Sequence, residues 1–310
     1  MPELPEVETT VRGLRKKLVG LRFGDVWSDW EKTVRQAGGL THFKKEIKNK
    51  KIIKVWRRAK FIVIDIEGPK SIFIHQKISG HLLYGKWIPL EVASPRSSGL
   101  ATGSRARLLT GWKSAMDGPL SNDPKNQHIR VVFNLNNGYQ LALSDLRRFG
   151  KVMLVDDKTL DNIKEIKKLG PEPLEVSFPE FKELFAHKKG RIKQVIMDPH
   201  FIVGIGNIYA DEILWRVNLH PTSRVEHLEM SDIKKIYKEM QAILKLAISH
   251  KGSSMDDYRT PSGEKGSFQN FHKAYQRTGE KCLRHDGGVI KRLKLGGRSG
   301  HFCSKHQIIK

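Results

Sequence analysis

Apolar positions along this chain follow two periods. Near the N-terminus Val7, Val11, Leu14 and Leu18 recur at helical spacing and stop at Gly20, predicting an amphipathic helix laid on a core. Further on the period shortens to two. Ile52 to Trp56, Phe61 to Ile66, Ser71 to His75, Ile129 to Leu135, Tyr139 to Leu143 and Lys151 to Val155 read as strands. Asn136-Asn137-Gly138 reads as a hairpin turn between two of them. Leu169-Gly170-Pro171-Glu172-Pro173-Leu174 has the composition of a linker, and helical spacing returns after it in 178–187, 191–197, 207–217 and 231–250. Between Pro89 and Asn126 neither period holds. The Ser/Gly/Arg-rich run from Ser94 to Arg107 predicts a long, mobile, basic loop over 90–125.

The pattern gives an α+β chain without internal repeats. An N-terminal β-sandwich (or flattened barrel) over 1–168 carries the first helix, 169–174 links it to a helical domain over 175–267, and 268–310 forms a C-terminal hairpin unit.

Charge narrows the function. Lys plus Arg number 56 against 33 acids in 310 residues, a net +23, which calls for a polyanionic partner, most simply nucleic acid. The only cysteines, Cys282 and Cys303, make no secreted disulfide framework. No apolar run reaches the ~18 residues of a membrane span. The N-terminus carries acids where a signal peptide would carry lysines. A cytoplasmic, nucleoid-associated monomer is expected.

Three constellations add chemistry. Once Met1 is removed, Pro2 offers a free secondary amine, whose pKa near ~8 leaves a neutral, nucleophilic fraction at neutral pH. Glu3 and Glu6 stand beside it at the start of the first helix, completing a nucleophile, acid and base set; a plain helix N-terminus is the other reading. Gly204-Ile205-Gly206-Asn207 precedes a helix and either offers backbone N–H groups to a phosphate or serves packing. Cys282-Leu283-Arg284-His285 and Cys303-Ser304-Lys305-His306 repeat Cys-x-x-His across 17 residues that read as a β-hairpin tipped by Arg298. Two such pairs suit one closed, structural Zn2+ site of Cys282, His285, Cys303 and His306. Arg147-Arg148-Phe149 and Arg57-Arg58-Ala59-Lys60 are basic turns suited to phosphates, or merely solvated, and Phe149 either wedges into a base stack or belongs to the core.

Pro2-Glu3-Leu4-Pro5-Glu6-Val7-Glu8-Thr9, the two basic turns, Gly170 to Leu174, Gly204 to Ala210 and the C-terminal hairpin occur in the order seen in formamidopyrimidine-DNA glycosylases, which the chain resembles over nearly its whole length. The resemblance implies a helix–two-turns–helix domain after the sandwich, a zinc finger, and base-excision repair of duplex DNA carrying oxidised bases or abasic sites. It implies removal of oxidised purines (8-oxoguanine, formamidopyrimidines) through a Schiff base on Pro2, then β,δ-elimination as an abasic-site lyase. Glu3 and Glu6 would support that chemistry, with Lys60 and Arg298 on the phosphates around the lesion. His128, Asn207 and Lys193 would contact DNA. Arg147, Arg148 and Phe149 would fill or flank the gap left by the flipped base. A sister enzyme for oxidised pyrimidines (endonuclease VIII) and a catalytically silent DNA-binding homologue are the alternatives. Residues 253–268 resemble the loop that closes over an extruded purine.

Two departures stand out. Ile78 occupies the place of a usual methionine wedge in His75-Gln76-Lys77-Ile78-Ser79-Gly80, and it is stiffer and shorter in reach. Histidines replace two of the four usual cysteine ligands.

Overall fold

The computed structural model describes residues 1–93, 107–157 and 164–310. In chain order the elements are α1 (Leu4–Leu18), β1 (Phe23–Ser28), α2 (Glu31–Val34), α3 (Leu40–Ile47), β2 (Ile52–Arg58), β3 (Phe61–Ile66), β4 (Lys70–His75), β5 (His81–Gly85), β6 (Trp87–Ala93) and β7 (Arg107–Ser114). Then follow α4 (Pro119–Asn122), β8 (Ile129–Leu135), β9 (Gln140–Ser144), β10 (Lys151–Asp156), α5 (Lys164–Lys167), α6 (Phe178–Glu183), α7 (Ile192–Ile196), α8 (Asn207–Arg216), α9 (Met230–Ser249), β11 (Ile290–Leu295) and β12 (Arg298–Cys303).

Two four-stranded antiparallel sheets, β1-β8-β9-β5 and β10-β4-β3-β2, form the predicted sandwich. Inward-facing Val26, Val131, Phe133 and Leu141 of one sheet meet Val55, Ile62, Ile64 and Ile74 of the other. Val7, Val11, Leu14 and Leu18 join the same core, because residues four and seven apart share one helix face. The Arg15 guanidinium donates to the Val55 carbonyl at 2.9 Å and pins α1 to β2. A second core gathers Phe181, Ile196, Tyr209, Ile213, Ile236, Leu244 and Phe268 from the helical half. Among the described residues no helix is long and apolar enough to cross a membrane.

The expected loop over 90–125 is corrected at both ends. Trp87 to Ala93 pairs with Arg107 to Ser114 as a two-stranded ribbon, and α4 follows it. Pro89, opposite Trp112, hid the strand: proline lacks a ladder donor, but an isolated ribbon leaves it a free edge. The basic run between the two strands, 94–106, lies outside the described residues. Strands β1 and β5 go beyond the strand runs that the sequence pattern predicts. Their short, glycine-containing runs FGDVWS and HLLYG carry little alternation.

Candidate active site

The two cores meet where α1 begins. Leu4 N–H donates to the Gly204 carbonyl at 2.9 Å, so the first turn of α1 sits on the glycine turn before α8. Glu3 is buried, and its carboxylate accepts Gly206 N–H at 2.6 Å and Ile208 N–H at 3.0 Å. This overturns one expectation from the sequence. The N-terminus of α8 holds an anion, but that anion is the protein's own Glu3. Gly206 is required there, since a Cβ would lie 2.4 Å from the Glu3 carboxyl carbon.

Glu6, equally buried, accepts Glu3 N–H at 2.8 Å, Tyr209 O–H at 2.6 Å and Ser253 N–H at 2.7 Å. Burial raises its pKa, with neighbouring Glu3 adding and the three donors opposing. The Tyr209 phenol is pushed up by the same burial and by Glu6. Gly252, at φ +76°, leaves room for the carboxylate, because a Cβ there would lie 2.7 Å from Glu6 Oε1. Pro2, next to Glu3 in the chain, is buried. Lys60, on the β2–β3 turn, donates to the Ile205 carbonyl at 3.2 Å. Burial lowers the Lys60 ammonium, Glu3 opposes, and Arg298 lowers it further. The structure therefore brings Glu3, Glu6 and Lys60 into one buried polar cluster beside the N-terminus that carries Pro2, with Arg298 within electrostatic reach of Lys60.

The basic turns divide. Arg57 is not solvated. It donates to Glu8 at 3.0 Å and to Glu172 at 2.5 Å, while Arg58 reaches Glu172 at 3.1 Å. Ala59 N–H also donates to Glu172, at 2.7 Å, and Ala59 adopts φ +53°. The linker's glutamate thus fixes the turn that aims Lys60. Arg148 pairs with Asp29 at 3.2 Å and lies over the Trp30 ring.

Two loops present apolar tips side by side. Buried Asp145 accepts Arg147 N–H at 3.2 Å, Gly150 N–H at 2.7 Å and the Ser79 hydroxyl. Ser79 Oγ in turn accepts Arg147 N–H at 3.0 Å. This knot leaves Ile78 38% and Phe149 54% exposed, with Arg147 exposed beside them. Ile78 and Phe149 therefore face water and do not belong to the core. His75 accepts Lys77 N–H at 2.9 Å and meets the Phe61 ring edge-on. Burial holds its imidazole down at about 3, with Lys77 and Lys60 contributing. His128 is half-buried and also lowered by burial, then by Arg130 and Lys125.

Two assignments change. Lys193 is 1% exposed and its ammonium is held by Asp211 at 2.6 Å and by the Ser299 carbonyl at 2.7 Å, which leaves it no reach to a DNA backbone. Asn207 stands at the start of α8 with its Oδ1 buried and without a partner among the described residues. In the hairpin unit His285 is exposed at φ +56° and stays outside the side chains that could hold a metal ion. Asp286 takes its place: donor atoms of Cys282, Asp286, Cys303 and His306 all lie within 4.8 Å of one another. His306 Nε2 faces the Trp215 carbonyl at 3.3 Å, and its Nδ1 lies 2.6 Å from Asp286 Oδ2, inside the group. The signal in the sequence was Asp286-Gly287-Gly288: Asp286 accepts Gly288 N–H at 2.8 Å in a turn that folds the carboxylate back over the cysteines.

The loop over 253–268 packs against residues 123–126. Arg259 pairs with Asp123 at 2.5 Å, Lys125 with Asp257 at 2.5 Å, and Asn126 donates to the Gly263 carbonyl at 3.0 Å. The segment after the β6–β7 ribbon is thus a platform for this loop.

Residues 1–152 match the family model described as formamidopyrimidine-DNA glycosylase N-terminal domain, and residues 169–259 match its H2TH domain. The chain is 35% identical to a formamidopyrimidine-DNA glycosylase of Pelotomaculum thermopropionicum across 100% of both chains. Two solved structures of Lactococcus lactis Fpg superpose with a TM-score of 0.78 at 28% identity. One is in complex with DNA containing N7-benzyl-Fapy-dG, covering 99% of each chain. The other is in complex with abasic-site DNA, covering 98% of this chain and 99% of that one. Full-length similarity and the shared fold agree, and the chain belongs to the formamidopyrimidine-DNA glycosylase family.

Proposed function

We propose that this protein is a base-excision-repair glycosylase that removes oxidised purines from duplex DNA and then cuts the strand at the abasic site. The observation that carries the reading is the placement of Pro2 beside two buried carboxylates, one of them anchored on the N-terminus of α8. After loss of Met1 the Pro2 nitrogen bonds to C1′ of a flipped nucleotide as the glycosidic bond breaks and the base leaves with a proton. Glu3 delivers a proton to the sugar ring oxygen, the ring opens, and the nitrogen becomes an iminium. The iminium draws electrons from C2′, whose proton leaves as the 3′ phosphate departs; the 5′ phosphate follows by δ-elimination. Glu6 supports Glu3 and ties α1 to Tyr209 and Ser253. Lys60, Asn207, His128 and Arg298 are read as phosphate contacts, and Ile78, Arg147 and Phe149 as the wedge, with Arg148 at its margin.

The C-terminal group fits a zinc ion. Separations of 3.6 Å between Cys282 Sγ and His306 Nδ1, and between Cys303 Sγ and Asp286 Oδ2, match the edges of a tetrahedron with ~2.0–2.3 Å bonds, and the 2.6 Å contact between His306 Nδ1 and Asp286 Oδ2 would have to open to admit the ion. One structural Zn2+ held by Cys282, Asp286, Cys303 and His306 would fix the hairpin that carries Arg298. The domain limits read as 1–168, 175–267 and 268–310 around the linker 169–174.

Borohydride trapping tests the chemistry. The Met1-processed protein is expected to form a covalent complex with duplex carrying 8-oxoguanine opposite cytosine, and Pro2→Gly to form none. Absence of any trapped complex with processed wild type would refute the Schiff base. A faster reaction on thymine glycol would move the substrate to oxidised pyrimidines.

A further inference from the structure

An arginine that grips a phosphate needs a rigid support to aim it. Arg298 opens β12 directly after the Gly296-Gly297 turn, at the tip of a two-stranded ribbon. A lone ribbon of this kind is marginal in water and does not hold a tip side chain to ångström precision by itself. Its outer edge is held instead by two side chains from the helical half. Lys193 of α7 donates from Nζ to the Ser299 carbonyl at 2.7 Å. Asp211 of α8 accepts His301 N–H at 3.0 Å and faces His301 Nδ1 at 2.8 Å. Together they satisfy the backbone groups that a third strand would otherwise take. The two are joined at 2.6 Å, both buried, and Gly300 lies flat over the Lys193 stem.

Asp211 also sits one helical turn after Asn207, on the helix whose first N–H groups hold Glu3. A cavity of about 220 Å³ between Lys193, Met197, Leu295 and Arg298 lies beside this anchor. We infer that Asp211, acting through Lys193 and His301, is the positioning residue that sets Arg298 at a fixed distance from Glu3. One rigid helix would then place both the acid and the phosphate grip. This rests on Arg298 contacting a phosphate.

The test reads the salt dependence of binding to a duplex with a tetrahydrofuran abasic analogue. Each lost phosphate contact lowers the slope of log K against log salt by about 0.9, so between 50 and 200 mM salt the wild type should lose about 3.5-fold more affinity than a variant lacking one contact. Arg298→Ala is expected to show that drop. Asp211→Asn, near-isosteric but uncharged, should show the same drop while retaining its metal and a folded melting profile. The double variant should show no further drop. A merely structural role would lower thermal stability and leave the slope of the folded protein unchanged. Where Asp211→Asn does not fold, Lys193→Met, which keeps most of the stem volume, carries the same expectation. A wild-type slope in the Asp211 variant, with Arg298→Ala reduced, overturns the inference alone. A wild-type slope in Arg298→Ala overturns the phosphate assignment and the inference with it. Additive drops in the double variant separate the two residues and likewise overturn it.

Discussion

Removal of the Glu172 carboxylate should cost stability and catalysis together. Glu172 is 8% exposed and accepts from Arg57 at 2.5 Å, Arg58 at 3.1 Å and Ala59 N–H at 2.7 Å. Breaking a buried ion pair by deleting one partner costs ~3–5 kcal/mol, because the other charge is left without compensation. Arg57 keeps Glu8 at 3.0 Å, so the loss belongs at the lower end. The Ala59 N–H left buried adds ~1–3 kcal/mol by itself, part of the same total. Glu172→Ala is therefore expected to lose about 3 kcal/mol, and Glu172→Gln, which keeps one acceptor, about half of that. The functional part follows from Ala59. Its positive φ is a conformation a non-glycine residue holds only under restraint, and the restraint is that hydrogen bond. Released, the turn relaxes and Lys60 leaves the Ile205 carbonyl. Displacement of a positioned group by about 1 Å costs up to ~100-fold in rate, so Glu172→Ala should slow borohydride trapping by tenfold or more. Urea unfolding and single-turnover trapping read the two effects. Stability within about 0.5 kcal/mol of wild type would refute the clamp. A full stability loss with unchanged trapping would refute the link to Lys60.

Two further predictions concern the metal group and pH. Asp286→Ala should lower bound metal below one equivalent per chain under mild chelation, while His285→Ala retains it; the reverse outcome in elemental analysis would restore the Cys-x-x-His pairing. For His75, the fold holds the imidazole neutral down to about 3 against an ordinary 6.5. Its contribution to stability is complete above pH 6.5 and lost as pH falls from there toward 3, because only the unfolded chain takes up the proton in that window. His75→Gln should therefore spare about 2 kcal/mol of the stability that wild type loses between pH 7 and 5, read as a smaller shift in urea midpoint.

Local chemistry was legible in the sequence because it depends on neighbours in the chain. The period of Val7, Val11, Leu14 and Leu18 fixed the core face of α1, and the strand runs fixed most of the sandwich. A proline followed by two carboxylates at a helix start, and two cysteines each trailed by a histidine, were visible as residue types at set spacing. Long-range pairing decided the rest. Which anion occupies the N-terminus of α8 depends on Glu3 arriving from 203 residues away. Whether Arg57 faces water or Glu172 depends on the linker packing against the sandwich, and whether Lys193 reaches DNA depends on Asp211 and Ser299 reaching it first. The exchange of His285 for Asp286 turned on one residue in the left-handed region, which rotates one side chain outward and brings the next one in. A sequence sets the periods and chemical types, but a buried charge takes whichever partner the fold brings within 3 Å, and only the tertiary structure selects that partner.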